Sequence, residues 1–203
     1  KLGATFQFSS SANQAFGSGS TGSIGSGSGT ILLNGSGVVT INGNNGFNGT
    51  LNAAQSVAIQ GGTTGLSSAT TIEIMNGGLI TVKATDNNGF MYTTGTPNLI
   101  IDTGGKLTSG VSQNNTYHLN NITLAGGELA WANPSCLSTS NCATWGTWMI
   151  DGTITVTQDS TISAQGITFN KSGGNIFNVS AGKTLTVTGS FFKSSSAVDT
   201  GFT

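Results

Sequence analysis

The chain has 203 residues, only 6% of them charged, and a formal net charge of −1. That balance lacks the basic footprint needed to hold nucleic acid, and no apolar run approaches the roughly 20 residues of a membrane-spanning helix. Glycine supplies 32 residues and proline two, yet branched and aromatic residues recur in short alternating bursts, which argues for folded β-structure against disorder.

A solvated surface of Thr, Asn and Ser in place of Lys and Glu fits an extracellular address. The chain begins at Lys1 without methionine or a leader, and is read as a processed or excised segment.

Residues 1–28 divide into "KLGATFQFSSSANQAF" and the linker-like "GSGSTGSIGSGSG". Phe6, Phe8 and Phe16 give the first piece something to bury, so this N-terminal segment is a linker, a cap or a joining strand. Residues 29–203 form the second unit. From Gly29 onward, four to six alternating residues are followed by Gly or Asn, then by another burst: "GTILLNG", "GVVTING", "GTLNA", "SVAIQG", "TTIEIMNGG" and "LITVKAT". After a looser stretch come "NLIIDTGGKLTSG", "HLNNITLAGGELAW", "TWMIDGTITVTQDSTISAQGITF", "NIFNVSAG" and "KTLTVTGSF". In "TITVT", Ile154 and Val156 face one way and the threonines the other, the period of a half-buried strand. No window carries a 3.6-residue stripe, so little helix is expected.

Two all-β architectures compete. An antiparallel β-sandwich joins strands by hairpins, and Asn-Gly turn dipeptides do occur, at Asn34, Asn42, Asn45, Asn48, Asn76 and Asn88. Bursts separated by single Gly or Asn residues suit the corners of a coil better, where those residues supply left-handed conformations. The parallel β-solenoid is therefore the expected fold.

The stretches "NNITLAGGELAW", "WGTWMIDGTITVTQDSTISA" and "FNVSAGKTLTVTGS" resemble the autotransporter-associated β-strand repeats of large bacterial surface proteins. In that family a "LTLNGGTL" element precedes a "G-x-W" segment, a "DGTVTV" strand and a "FNVAAGTTLTVSG" close. The matching stretches run from Leu119 to Ser190, and "NGNNGFNGTLNA" (42–53) matches the shorter "N-x-F-x-G-T-L" unit more loosely. The resemblance implies a right-handed parallel β-helix, exported and displayed or released outside a bacterium. With roughly 20 residues per turn, residues 29–203 would make about eight or nine rungs, a rod on the order of 40 Å long at 4.8 Å per rung. Val82, Ile122, Leu124, Ile154, Val156, Ile167, Val179, Leu185 and Val187 are the expected interior.

Catalysis is weighed because glycosidases and pectin-cleaving enzymes share this fold. The acids are Glu73, Asp86, Asp102, Glu128, Asp151, Asp159 and Asp199, spread singly, although adjacent rungs can join such residues, Glu128 and Asp151 for example. A glycosidase needs two carboxyls roughly 5–9.5 Å apart. There is no arginine to grip anionic sugars. His118, the one histidine, lacks a nucleophile-elbow motif around any serine and reads as a polar strand-edge residue. No enzyme activity, cofactor or metal is expected. The threonines of "TITVT" and "TLTVT" would present hydroxyls as ice-binding solenoids do, but two clean examples are few.

The only cysteines, Cys136 and Cys142, lie in "PSCLSTSNC". Two cysteines and one histidine do not complete a structural zinc site, and the spacing is not that of a C-x-x-C redox motif. In an oxidising exterior the pair is expected to form a disulfide, worth roughly 2.4 kcal/mol for a loop of about seven residues. Trp131, Trp145 and Trp148 bracket that loop. They either cover its base as a local core, the preferred reading, or stack on a sugar or anchor a protein contact.

The sequence thus points to a non-enzymatic, extracellular, structural or adhesive β-solenoid, with end-to-end self-association and a surface glycan or neighbouring-cell protein as candidate partners. A carbohydrate-active lyase- or hydrolase-like module is the alternative. Asn114, Asn121 and Asn178 begin Asn-x-Ser/Thr sequons, relevant only in a host that glycosylates them.

Overall fold

The computed structural model describes residues 4–17, 27–42, 47–60, 66, 69–83, 97–110, 117–131, 148–169 and 177–193. These fold as a parallel β-solenoid of twenty strands, with no helix among them. Numbered along the chain, the first sheet stacks β1 (Thr5–Phe8), β3 (Thr30–Leu33), β5 (Thr50–Ala53), β7 (Thr71–Ile74), β9 (Asn98–Asp102), β12 (Ile122–Ala125), β15 (Ile154–Gln158) and β18 (Phe177–Val179). The second stacks β2 (Gln14–Gly17), β4 (Val39–Asn42), β6 (Ser56–Gln60), β8 (Leu79–Val82), β10 (Lys106–Ser109), β13 (Glu128–Leu129), β16 (Ser160–Ile162) and β19 (Leu185–Val187). A shorter third sheet holds β11 (Tyr117–Leu119), β14 (Trp148–Ile150), β17 (Gly166–Phe169) and β20 (Ser190–Lys193).

Every ladder between these strands is parallel. The antiparallel sandwich is thereby excluded. Asn-Gly pairs do not close hairpins; Asn34 and Asn76 instead follow β3 and β7 at corners of the coil. Among isolated bridges, the Asp102–Gly126 one is antiparallel.

Alternation along each strand becomes columns across the stack. In the first sheet one inward column runs Phe6, Ile31, Leu51, Ile72, Leu99, Ile122, Ile154, Phe177. Its neighbour runs Phe8, Leu33, Ala53, Ile74, Ile101, Leu124, Val156, Val179. Members in the middle are shut off from water, and each contributes about 1.5–3 kcal/mol by burial. At 4.8 Å per step, eight strands span about 34 Å.

Of the readings open for residues 1–28, β1 pairs with β3 and β2 with β4, so residues 5–8 and 14–17 join the stack as strands. Two expectations shift. From residue 30 onward each large sheet has seven strands, fewer than eight or nine rungs, because the repeat stretches from 20 residues (Thr30 to Thr50) to 32 (Ile122 to Ile154). Of the expected interior, Val82, Ile122, Leu124, Ile154, Val156 and Ile167 are buried, but Leu185 and Val187 are half-buried and Val179 is 40% exposed. The last three lie on β18 and β19, the last strands of the two large sheets among the described residues.

Candidate functional site

Cys136, Cys142 and Trp145, with their expected disulfide, lie outside the described residues. The two other tryptophans stand at the feet of that segment. Trp131 and Trp148 are buried, with ring centroids 5.2 Å apart at 62°, and Tyr117 packs against both at 5.4 and 5.5 Å. The Trp148 indole N–H donates to the Ala130 carbonyl over 3.0 Å. Positions 131 and 148 are thus held together by an aromatic core whose indole N–H is satisfied. Turned inward, these two rings offer no face for a sugar to stack on.

Most of the described acids engage groups on neighbouring coils. Glu73 and Asp102 lie on adjacent strands of the first sheet, β7 and β9. Burial pushes the Glu73 carboxyl above its ordinary value, and the charge and hydrogen bond of Asp102 push it further. Glu128 accepts from Lys106, one strand back at 2.9 Å, and from the Ser163 hydroxyl one strand on. Its carboxyl is held below the ordinary range chiefly by the Ser163 bond, against the effect of burial and with help from Lys106. Asp151 contacts His118 at 2.6 Å between Nδ1 and Oδ2, linking β11 to the residue after β14. Asp159 accepts from the Thr184 N–H at 2.8 Å. Glu128 and Asp151 are therefore not brought together as a pair; each is engaged by its own partners on a different sheet. Asp86 and Asp199 lie outside the described residues.

Amide side chains repeat the same device at the corners. Asn13 accepts from the Val38 N–H at 2.9 Å, and Asn121 from the Thr153 N–H at 3.1 Å. Gln55, almost fully buried, accepts from the Gly35 N–H and donates to the Gly37 carbonyl at 3.0 Å. Each satisfies a backbone group of a neighbouring coil that the ladder leaves unpaired. Sequence reading missed these ties because their partners lie 18 to 35 positions away.

No family model, curated protein or solved structure matches the chain. What it does is therefore argued from its own surfaces. The threonine rows do not form a single lattice: Thr155 of "TITVT" lies in the first sheet and Thr186 of "TLTVT" in the second. A better row comes from Thr5, Thr30, Thr50 and Thr71, stacked outward on four successive strands. The adjacent outward column, Gln7, Leu32, Asn52, Glu73, Ile100, breaks any two-dimensional hydroxyl array.

Among the described residues, the exposed large apolar side chains are Phe6 at 61%, Val179 at 40% and Phe191 at 37%, on strands that stand first or last in their sheets. Phe6 and Val179 terminate inward columns, so the core itself reaches water there. Phe8 and Phe16 meet edge to face at 5.3 Å at the first end. Phe169, Phe177 and Phe191 cluster with centroids 5.3–5.8 Å apart at the other.

Proposed function

We propose that this protein is a non-enzymatic, extracellular β-solenoid with a structural or adhesive role, of the kind found in autotransporter passengers of bacterial surfaces. The observation that carries the reading is the pair of eight-stranded parallel sheets whose apolar columns run from one end to the other. Such a stack is a stiff spacer whose strands pair in parallel ladders along the rod axis. The described acids support it, since they tie one coil to the next. So does the outward Thr column, which solvates the flank with few charges.

In this reading the 132–147 segment is presented from a rigid, aromatic-anchored base, with Cys136 and Cys142 closing it as a disulfide in an oxidising exterior. Its partner is a surface glycan or a protein of a neighbouring cell. The test is antibody labelling of intact cells that make the protein, combined with binding of the purified chain to glycan and host-cell surfaces before and after replacement of 132–147 by a short Gly/Ser linker. Labelling of intact cells, with binding lost on replacement, supports the proposal; antigen found only after lysis overturns it. Depolymerisation of a polysaccharide by the purified chain, abolished in Glu73→Gln, would substitute a carbohydrate-active role.

A further inference from the structure

We infer that Asn76 is a site of slow, uncatalysed modification: its side-chain amide is lost through a cyclic imide, leaving aspartate or isoaspartate at position 76. The inference rests on the fold alone and not on the proposed surface role.

The chemistry needs an asparagine followed by a backbone nitrogen with little around it, and glycine, which has no Cβ, supplies one best. The Gly77 nitrogen gives up its proton to solvent and attacks the Asn76 Cγ. An N–Cγ bond forms, the Cγ–Nδ2 bond breaks, and the side-chain nitrogen leaves as ammonia. Water then opens the imide. Attack at the former side-chain carbonyl gives aspartate; attack at the backbone carbonyl routes the main chain through the side chain and gives isoaspartate. No oxidant, reductant or enzyme takes part.

Three Asn-Gly pairs lie wholly among the described residues, at 34–35, 48–49 and 76–77. The fold closes two of them. Asn34 Oδ1 accepts from the Ser9 hydroxyl and the Gly35 N–H donates to Gln55 Oε1, so both reacting groups are held. Gly49 is buried against the Gly29 carbonyl and the Phe47 ring, and the Asn48 carbonyl accepts from the Thr70 hydroxyl at 2.7 Å.

The third pair is open. Asn76 and Gly77 are both exposed. They form the middle of a turn closed by the Gly78 N–H and the Met75 carbonyl at 2.8 Å, with Gly77 at φ +79°. A Cβ on Gly77 would come no nearer than 3.9 Å to the Ala54 carbonyl oxygen, so the peptide has room to rotate. The Gly77 N–H reaches the Gly104 carbonyl at 3.3 Å, beyond the usual range of about 2.7–3.2 Å and correspondingly weak. The turns Asp102–Gly105 and Ser180–Lys183 repeat this geometry, with Gly104 at φ +79° and Gly182 at +72°. Thr103 and Ala181 stand there in place of Asn76 and have no amide to lose. Conversion would make the formal net charge of −1 one unit more negative, on the coil that already carries Glu73.

The experiment incubates the purified 203-residue chain in mildly alkaline buffer, once folded and once in guanidinium. Peptide mapping by mass spectrometry, with fragmentation that separates aspartate from isoaspartate, reads positions 34, 48 and 76 over time. In the folded chain, position 76 is expected to convert about tenfold faster than 34 or 48, roughly the worth of the hydrogen bonds that hold those two. In guanidinium the three rates should converge, because the sequence is Asn-Gly at each. An Asn76 that stays intact in the folded chain would overturn the inference. So would conversion at 34 or 48 as fast as at 76, or a preference for 76 that persists in guanidinium, since the fold would then not be what selects it.

Discussion

At the scale of single residues, Glu73 and Glu128 respond to pH in opposite senses. The Glu73 carboxyl lies above its ordinary 4.5 in the folded chain. Folding therefore takes up a proton between the two values, and the cost of the charged form is present in full above the folded value. Glu73→Gln is expected to be more stable than the wild type at pH 7, with the gain fading as the pH falls through the raised folded value and gone once it is below 4.5. Glu128 is lowered from 4.5, so its contribution is present above that value and lost as the pH falls through the folded one. Glu128→Gln should be less stable at pH 7, and the deficit should shrink in acid. Thermal melts of both variants from pH 3 to 8 check the two signs together, and parallel curves for either would remove its assignment. Gln55 is a larger lever. Gln55→Ala leaves the Gly35 N–H and the Gly37 carbonyl without their side-chain partner and is expected to cost about 1–3 kcal/mol, read from the guanidinium midpoint.

At the scale of elements, the corner after β12 shows how a turn fixes a ladder. Gly126 has φ of +102°, and a Cβ there would crowd the Thr103 hydroxyl and come within 3.1 Å of the Thr103 Cβ. Its N–H takes the Ser160 hydroxyl at 3.0 Å, beside the register shift between Leu124 and Ala125. Gly126→Ala combines left-handed strain with a clash and should lose about 2 kcal/mol or more, whereas Gly182→Ala, also at positive φ but with open space around it, should lose only the strain, about 1 kcal/mol. Equal losses at the two sites would remove the packing part of this account. Many strands of the two large sheets from β3 onward were legible in the sequence because they carry a two-residue period, as in "TITVT" and "TTIEI". The third sheet was not. Trp148, Met149 and Ile150 are all buried, as is every residue of β17, so those strands offer no alternation to read. The acid and amide ties were illegible for another reason. With repeats of 20 to 32 residues, the sequence does not say which position lies above which, and only the register brings Glu73 to Asp102 or Lys106 to Glu128. The placement of the tryptophans at the base of the Cys136–Cys142 segment was legible from their flanking positions; that Tyr117 completes the cluster was not.

For the whole molecule, a stack in which each coil touches only its neighbours should have a stability that varies along its axis. Val179 illustrates the point: its motif "FNVSAG" has the same alternation as buried strands, yet it is exposed because burial of an inward column needs a strand on both sides. Ile101, between Ile74 and Leu124, has both, and Ile101→Ala is expected to cost about 2–5 kcal/mol. Val179→Ala should cost under about 1 kcal/mol, in keeping with a side chain that is only partly withdrawn from water. Amide hydrogen exchange reads the same gradient without mutation. Protection should peak in β7, β9 and β12, and fall toward β1, β2, β18 and β19. Flat protection along the rod would mean that it unfolds as one cooperative unit, and the end strands would then owe their stability to the whole stack.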